Sequence, residues 1–189
     1  MRRGDERQTG RRSRRLLAPL AGVALLGVAV AERLRRRRRG EQTEGRRQMS
    51  ATNKTVSRRL TEEAFNQGNY DVIEELIVPT FVNHDPATGD ITGVDGVRQN
   101  IDGYRSAFPD LKITIEEQIA EGDLVATRWT ATGTHKGELM GIAPTGKEAT
   151  VTGVTIDRLE DGKIVESWNN WDTLGMMRQL GVIPALATA

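Results

Sequence analysis

From residue 111 to residue 172 the chain alternates apolar and polar residues in stretches separated by turn signals. A period of two places successive side chains on opposite faces of a sheet. The pairs Gly122-Asp123 and Asp161-Gly162 stand between alternating stretches, as hairpin turns do. We therefore predict a long antiparallel meander, whose strands begin at Leu111 and then run from Leu124 to His135, from Ala149 to Leu159 and from Lys163 to about Asp172.

Residues 53–109 show helical spacing instead. Apolar residues recur three or four apart in three segments, which predicts three helices that close at Gly68, Pro79 and Pro109. A short extended piece, Phe81–Asp85, lies between the second and third helices. Helices followed by an antiparallel meander give an α+β fold, in which one curved antiparallel sheet wraps over three N-terminal helices and encloses a pocket.

Charge divides the chain into two regions. Residues 1–48 contain 15 arginines and five acidic residues, a net charge of +10. Residues 49–189 contain 12 basic and 21 acidic residues, a net charge of −9. A body of that charge repels phosphate backbones, and the arginine runs have no interleaved aromatic residues. We therefore predict a disordered arm over residues 1–48, one domain over residues 49–189 and no nucleic-acid partner.

The arm contains an apolar stretch, Leu16–Ala31, followed by the five-arginine run Arg35–Arg39. Three interpretations stay open. The stretch could anchor the chain in a membrane, although it reaches only about 24 Å of a hydrocarbon core of about 30 Å. It could be an export signal, although the arginine run opposes translocation. We favour the third, in which Met49 is the initiator, the arm is an upstream misreading and the domain is cytoplasmic.

Composition excludes several kinds of chemistry. The chain has no cysteine and only two histidines. It therefore has no disulfide, no thiol nucleophile and no thiolate metal site, and a histidine-rich metal site is not expected. Chemistry in this domain must rest on carboxylates, hydroxyl groups, arginine or lysine.

Asp172 is the candidate catalytic residue that the hairpin register indicates. We expect a three-residue turn at residues 160–162, which places Trp168, Asn170 and Asp172 on the inward face of the last strand. An apolar wall makes a carboxylate a stronger base, and abstraction of a proton next to a carbonyl needs such a base. Asp172 could also cap the helix predicted from Leu174, and the two roles can coexist.

A series of short motifs occurs in a defined order along residues 50–189. The motifs are Phe81-Val82-Asn83-His84-Asp85, Phe108-Pro109-Asp110, Gly122-Asp123, Arg128-Trp129, Gly133-Thr134-His135-Lys136-Gly137, Pro144-Thr145-Gly146-Lys147, Asp161-Gly162-Lys163-Ile164-Val165-Glu166-Ser167-Trp168, and Asp172 through Gln179-Leu180-Gly181. Their order and spacing resemble the SnoaL-like polyketide cyclase, or ester cyclase, family. The resemblance covers nearly all of residues 50–189 and leaves the arm outside.

The resemblance implies a nuclear-transport-factor-like fold, a homodimer or homotetramer, and no metal or organic cofactor. It implies an enzyme of polyketide metabolism that closes a ring in a small carbonyl compound by intramolecular aldol-type acid/base catalysis. The aspartate that such cyclases use corresponds to Asp172. Characterised cyclases also have a polar pair that includes a histidine on the neighbouring strand, and its position falls near Ile156 and Arg158.

Further residues are candidates for the substrate pocket. Histidine and arginine can bind a polar substrate group, and tryptophan can form a pocket wall. Each has a structural alternative: surface hydrogen bonding for the histidines, an ion pair for a mid-strand arginine and core packing for the tryptophan. The candidates are His84, His135, Arg128, Arg158, Trp168 and Asn170.

Two classes of function stay open from the sequence. The first is the cyclase, or an isomerase or hydrolase on the same fold. The second is a non-catalytic module that binds a small apolar ligand or serves in assembly. The partner in both classes is a small molecule, and a membrane takes part only if the arm is real. Assembly would use the convex face of the sheet, where we expect Val165 and Trp171.

Overall fold

A computed structural model describes residues 20–184, with side-chain surroundings from Glu32 onward. The chain divides into two units between Thr43 and Glu44, close to the predicted boundary at residue 48. Residues 20–48, expected to be disordered, are helical. The elements are α1 (Leu20–Arg59), a π-helical segment (Leu60–Asn66), α2 (Asp71–Leu76), β1 (Ile77–His84), β2 (Ile91–Thr92), α3 (Gly93–Ala107), β3 (Lys112–Glu121), β4 (Leu124–Thr134), β5 (Glu148–Glu160), β6 (Lys163–Trp171) and α4 (Thr173–Leu180).

The six strands form one curved, unclosed sheet in the order β2-β1-β6-β5-β4-β3. Strands β3 to β6 are the predicted antiparallel meander. Strand β1 adds to β6 in the parallel direction, so the extended piece expected at Phe81–Asp85 is the end of a longer strand inside the sheet. The predicted α+β fold class is confirmed.

The helices follow the predicted stop signals with one exception. Gly68 has φ +70° after the π-helical segment, and α3 ends just before Pro109. Helix α2 ends at Leu76 rather than at Pro79, because Ile77 already has an extended backbone with φ −119° and ψ 158°. Pro79 lies within β1, where the pairing with β6 is irregular. An irregular ladder tolerates proline because no N–H is needed there.

The hairpin between β5 and β6 corrects the predicted register. Glu160 pairs with Lys163, so the turn has two residues rather than three. Asp161 and Gly162 have φ of 49° and 80°, the left-handed values that a two-residue hairpin turn needs. A bulge follows within β6 and shifts the register by one residue. The bulge reverses the alternation along β6: Ile164 is buried on the inward side, but beyond the bulge the odd-numbered residues face inward.

Two buried clusters hold the sheet and helices together. The first contains Ile73, Ile77, Ile101 and Ile164, each with no exposed surface. Complete burial of such a side chain contributes about 1.5–3 kcal/mol relative to its exposed state. The second cluster packs α4 against β5 and includes Ala107, Phe108, Leu139, Ala149, Val151, Met176 and Leu180. Residues of both clusters also line the cavity described below.

Within residues 20–184, no helix is both long enough and apolar enough to cross a membrane.

Candidate active site

A cavity of about 170 Å³ lies between the concave face of the sheet and the helices. Apolar side chains form much of its wall, including Phe65, Phe81, Phe108, Trp129, Val151 and Trp171. Polar side chains form the rest, including Ser57, Asn83, Asp85, Thr127, Thr155, Asp157, Ser167 and Asn169.

Strand register sorts the inward side chains into rows. Thr127, Thr155 and Asn169 are paired across β4, β5 and β6 and form a polar row. Asp157 and Ser167 form the next row, two residues further along their strands. Because inward residues on paired strands lie side by side, the polar groups of the cavity are concentrated at one end of the concave face.

The row on the other side of Thr155 is aromatic. Trp129 and Trp171 lie on either side of Gly153. A Cβ atom at position 153 would meet the Trp129 ring at 2.3 Å, so only glycine lets the indole lie across β5. The indole N–H of Trp129 then reaches the Thr155 hydroxyl at 3.0 Å. The cavity therefore has an apolar, aromatic end and a polar end that meet at this indole.

Asp85 is the carboxylate at this meeting point. It directly follows β1, is 5% exposed and lines the cavity. Its Oδ2 accepts hydrogen bonds from Asn169 Nδ2 at 3.0 Å and from the Trp171 indole at 3.1 Å. Its Oδ1 accepts one from the backbone N–H of Ala87 at 2.8 Å. Three N–H donors thus hold a buried carboxylate in one orientation.

A chain of hydrogen bonds connects the polar row to Asp85. Trp129 donates to the Thr155 hydroxyl, and that hydroxyl donates to Asn169 Oδ1 at 3.0 Å. Asn169 in turn donates to Asp85. Every donor in the chain points towards the carboxylate, which orients the Asn169 amide.

Tyr104 brings a hydroxyl group to the same region. Burial raises the pKa of Tyr104 far above its usual range, and the negative charge of Asp85 raises it further. Its ring meets Trp171 edge-on, with 6.4 Å between the ring centroids. The Tyr104 hydroxyl therefore keeps its proton and can donate a hydrogen bond in the cavity.

Asp157 is a second buried carboxyl group in the cavity wall. It is 5% exposed, and the Ser167 hydroxyl donates to its Oδ1 at 2.5 Å. Burial raises the pKa of Asp157, and the bond from Ser167 and the nearby Ser57 hydroxyl oppose part of that rise. An elevated pKa favours the carboxylic acid form, which is a hydrogen-bond donor.

Asp172 lies outside the lining of the cavity. Its side chain is exposed, and Oδ1 accepts from the Gly175 backbone N–H at 2.7 Å, so that Asp172 is the N-cap of α4. The capping role that the sequence left open is therefore present. Its catalytic role stays a prediction.

Five of the predicted pocket residues lie on the outer face of the sheet instead: Arg128 on β4 and four residues on or beside β6. Trp168 and Asn170 were expected to face inward together with Ile164. That expectation is wrong, because the bulge after Ile164 reverses which side chains of β6 face the cavity. Both residues border a shallow surface cleft, together with His84. Arg158 pairs with Glu166 on the same face. Ile156, the other position matched to the family's polar pair, is also there and is 38% exposed.

His84 connects two carboxylates on this outer face. Its Nδ1 lies 3.0 Å from Asp90 Oδ1, and its Nε2 lies 3.0 Å from Glu166 Oε1. Hydrogen bonds to Glu166 and to Asp90 raise the pKa of His84 above its usual value. Its ring stacks on Trp168 with 5.9 Å between the ring centroids.

His135 and Arg128 also lie outside the cavity lining. His135 is completely buried beside the cavity, where its Nδ1 accepts from the Thr145 N–H at 3.3 Å and its ring packs on Phe108 at 5.2 Å. Arg128 is exposed on the outer face, with Nε 4.0 Å from Glu117 Oε2. The ion-pair alternative describes the contact of Arg128, whereas the surface position expected for His135 as its structural alternative is wrong, because the residue is buried.

Sequence reasoning missed Asp85, Asp157 and Asn169 as cavity residues. Asp85 stood in one of the quoted motifs, but only the adjacent His84 was selected from it. Asp157 and Asn169 are odd-numbered, whereas the even-numbered residues of these two strands were expected to face inward. A residue count through the correct two-residue turn and the bulge would have found them. Among the side chains that the structure describes, no group of three or more His, Cys, Asp or Glu has the arrangement of a metal site.

Comparison with known proteins agrees with this architecture. The family model for SnoaL-like polyketide cyclases matches residues 55–180. The chain is 34% identical to nogalonic acid methyl ester cyclase of Streptomyces nogalater over 122 residues, which are 62% of this chain and 90% of that protein. It is 32% identical to the aklanonic acid methyl ester cyclase AcmA of Streptomyces galilaeus over 123 residues, 63% of this chain and 84% of that protein.

Solved structures lead to the same family. The crystal structure of a protein from Jannaschia sp. CCS1, described as SnoaL-like polyketide cyclase, superposes with a TM-score of 0.66 at 26% identity. The match covers 71% of this chain and 95% of the Jannaschia protein. With a matched family model over most of the chain and a shared fold, this chain belongs to the SnoaL-like polyketide cyclase family.

Proposed function

We propose that this protein is a cofactor-independent cyclase that closes a ring in a small polyketide-derived carbonyl compound by an intramolecular aldol-type reaction. The observation that carries the proposal is the buried carboxylate of Asp85 in the cavity wall, oriented by three N–H donors. Family membership supports the reaction class, because the relatives in Streptomyces are named as methyl ester cyclases.

In the proposed reaction, Asp85 is the general base. A carboxylate has about four acceptor positions, and three are used by protein donors, which leaves one on Oδ1 for a substrate proton. Asp85 takes the proton from a carbon next to a carbonyl, and the C–H electron pair becomes that of an enolate. Tyr104 lines the same cavity, and its protonated hydroxyl donates a hydrogen bond to the enolate oxygen.

The enolate carbon then attacks a second carbonyl of the same molecule. A C–C bond forms, the carbonyl π pair moves to oxygen, and the alkoxide takes a proton back from the Asp85 carboxylic acid. Product and substrate contain the same atoms, so the reaction needs no external oxidant, reductant or leaving group. The aromatic end of the cavity supplies an apolar wall against which a flat polyketide ring can pack.

The test is a turnover assay with nogalonic acid methyl ester and aklanonic acid methyl ester, the compounds in the names of the relatives. Liquid chromatography with mass detection should show a product of unchanged mass and changed retention. Asp85→Asn keeps the shape and a hydrogen-bonding group but removes the base, so turnover should fall by about 10² to 10⁴ while folding is retained.

The matched variant is Asp172→Asn, which makes the same change at the aspartate that the sequence indicated. Full activity of Asp172→Asn alongside an inactive Asp85→Asn supports Asp85 as the base. The reverse pattern returns the role to Asp172. Binding of both compounds without turnover by the unmodified chain would support the alternative, a non-catalytic ligand-binding module.

The proposal includes a homodimer formed through the outer face of the sheet. Ile119, Ala126, Ile156 and Trp168 lie side by side on this face from β3 to β6. In the single chain Ile119 is 63% exposed. A contiguous apolar row on a sheet face is typical of a surface covered by another subunit. Trp171, which we expected on this face, lines the cavity, and Trp168 takes its place.

The cytoplasmic location and the start at Met49 remain part of the proposal. Both depend on the arm. The predicted apolar stretch Leu16–Ala31 lies outside the residues whose side chains the structure describes, which begin at Glu32.

A further inference from the structure

The polar end of the cavity contains a cluster distinct from Asp85. Asp157 on β5 and Ser167 on β6 are paired, and Ser167 lies beside Asn83 on β1. Ser57, from the last turns of α1, closes the cluster from the helical side, and all four residues line the cavity. Ser57 and Asp157 are 4% and 5% exposed.

Two atoms of this cluster lack a hydrogen-bond partner within the described part of the chain. They are Ser57 Oγ and Asn83 Oδ1, and both are buried. Ser57 Oγ lies near enough to Asp157 to lower the pKa of that carboxyl, but not in the geometry of a hydrogen bond. The other buried side-chain atoms in that condition belong to Arg98, His135, Arg158 and Arg178, none of which lines the cavity. Buried polar groups are normally paired, because an unpaired one loses its hydrogen bonds to water without replacement. Two unpaired atoms in one cavity wall therefore point to a polar group of a ligand.

The chemistry of the cluster defines that group. Asn83 Oδ1 can only accept a hydrogen bond, so the ligand must donate to it. The Ser57 hydroxyl can donate, and burial of the Asp157 carboxyl favours its protonated, donating form. A ketone or ether oxygen accepts but cannot donate to Asn83. A carboxylate or phosphate cannot donate either and would bring a second acid beside Asp157. A hydroxyl group does both.

We propose that Ser57, Asn83 and Asp157 form a subsite that binds a hydroxyl group of the ligand, so that the cavity prefers hydroxylated ring ketones. The subsite lies one inward row from Asn169, about 7 Å along the strands from the residue that holds Asp85. A hydroxyl bound there would orient the ring with its carbonyl end towards Asp85. This orienting role rests on the proposed function, whereas the binding preference does not.

The test is isothermal titration calorimetry of the full chain with three probes of equal ring size. They are 1-tetralone, 6-hydroxy-1-tetralone and 6-methoxy-1-tetralone. The hydroxy compound should bind about tenfold more tightly than the other two, the effect of one or two hydrogen bonds. Equal affinity of the hydroxy and methoxy compounds overturns the role of Asn83 as acceptor, because both can accept but only the first can donate.

Ser57→Ala and Asn83→Leu remove the two unpartnered atoms. Each should reduce the affinity for 6-hydroxy-1-tetralone by about tenfold and leave the affinity for 1-tetralone unchanged. Thr130→Val is the matched control, because it removes a hydroxyl from β4 outside the cavity lining, and it should change neither affinity. Circular dichroism and the melting temperature identify variants that fail to fold. If Asn83→Leu fails to fold, Asn83→Ala makes the same deletion with less bulk.

The outcomes separate this inference from the proposed function. One outcome is that the protein shows no turnover but prefers the hydroxy probe, and that Ser57→Ala abolishes this preference. This outcome supports the subsite and contradicts the cyclase. Turnover by a protein that binds the three probes equally supports the cyclase and overturns the subsite. A loss of affinity for all three probes in Ser57→Ala overturns the subsite as well, because it indicates a change in cavity shape.

Discussion

At the scale of single residues, Asp85 and Asp172 differ in what surrounds the carboxylate. Asp85 is buried in a cavity wall and accepts from side chains of β6 that lie more than 80 residues away in sequence. Asp172 is exposed and accepts from the backbone three residues further on. The first arrangement shields a carboxylate from water, and the second stabilises a helix. The same chemical group thus meets different donors in the two places.

Asp172 also provides a test of its capping role. Asp172→Ala removes the acceptor for the first turn of α4, so the free energy of unfolding should fall by about 1 kcal/mol. Asp172→Asn should lose much less, since asparagine caps about as well as aspartate. Urea denaturation followed by circular dichroism measures both values. Equal stability of the alanine variant and the unmodified chain would contradict a contribution from the cap.

The structure explains why this cap is closely packed. A Cβ atom at Gly175 would lie 2.0 Å from Asp172 Oδ2, so glycine at the third position after the cap leaves the space for the carboxylate. This local contact is of the kind that sequence reasoning can anticipate, and the cap at the start of the last helix was among the stated alternatives.

At the scale of elements, the bulge in β6 has the largest consequence. One extra residue between Ile164 and Glu166 reverses which side chains of the strand face the cavity. It brings Ser167, Asn169 and Trp171 inward and leaves Trp168 outside. No residue pattern in the sequence marks the bulge, since valine and glutamate both also occur in regular strands.

The segment that joins β1 to β2 is held to the outer face of β6 by His84. Protonated His84 can bind Asp90 and Glu166 together, and Arg158 and Trp168 complete its surroundings. Because the folded-state pKa of His84 is raised, its stabilising effect is complete below about pH 6.5, the unfolded value, and is lost as pH rises through the folded pKa.

We therefore expect the melting temperature of the unmodified chain to fall more between pH 6 and pH 8.5 than that of His84→Gln. Differential scanning calorimetry in buffers of equal ionic strength measures both. Glutamine keeps a hydrogen-bonding side chain but does not titrate, so the difference between the two profiles isolates His84. Parallel profiles would show that the histidine contributes nothing through its charge.

At the scale of the whole molecule, the sheet has two faces with different roles. The concave face and the helices enclose the cavity, and the outer face presents the apolar row described above. Charged pairs flank this row, with Arg128 near Glu117 on one side and Arg158 with Glu166 on the other. An apolar strip with a charged rim is the usual anatomy of a protein interface.

Ile156→Arg tests the proposed dimer. The side chain is 38% exposed, so arginine can be accommodated in a single chain, but its charge would be buried if the row contacts a second copy. Light scattering after size exclusion should show a dimer for the unmodified chain and a monomer for Ile156→Arg. Gln99→Arg, which adds the same charge on the exposed side of α3, should remain dimeric. A monomeric unmodified chain at micromolar concentration would contradict the interface.

Local patterns in the sequence were sufficient for the strands of the meander, for two of the helix ends and for the fold class. Alternation with Gly122-Asp123 and Asp161-Gly162 predicted the meander, and Gly68 and Pro109 marked helix ends, because these signals act between residues close in the chain. The ordered motifs were sufficient for the family. The tertiary structure alone decided which aspartate meets the cavity. Asp85 acquires its surroundings from Asn169 and Trp171, and their inward direction depends on a bulge that reverses the strand. A site assembled from distant segments follows strand register, and register results from packing of the whole sheet rather than from the spacing of neighbouring residues.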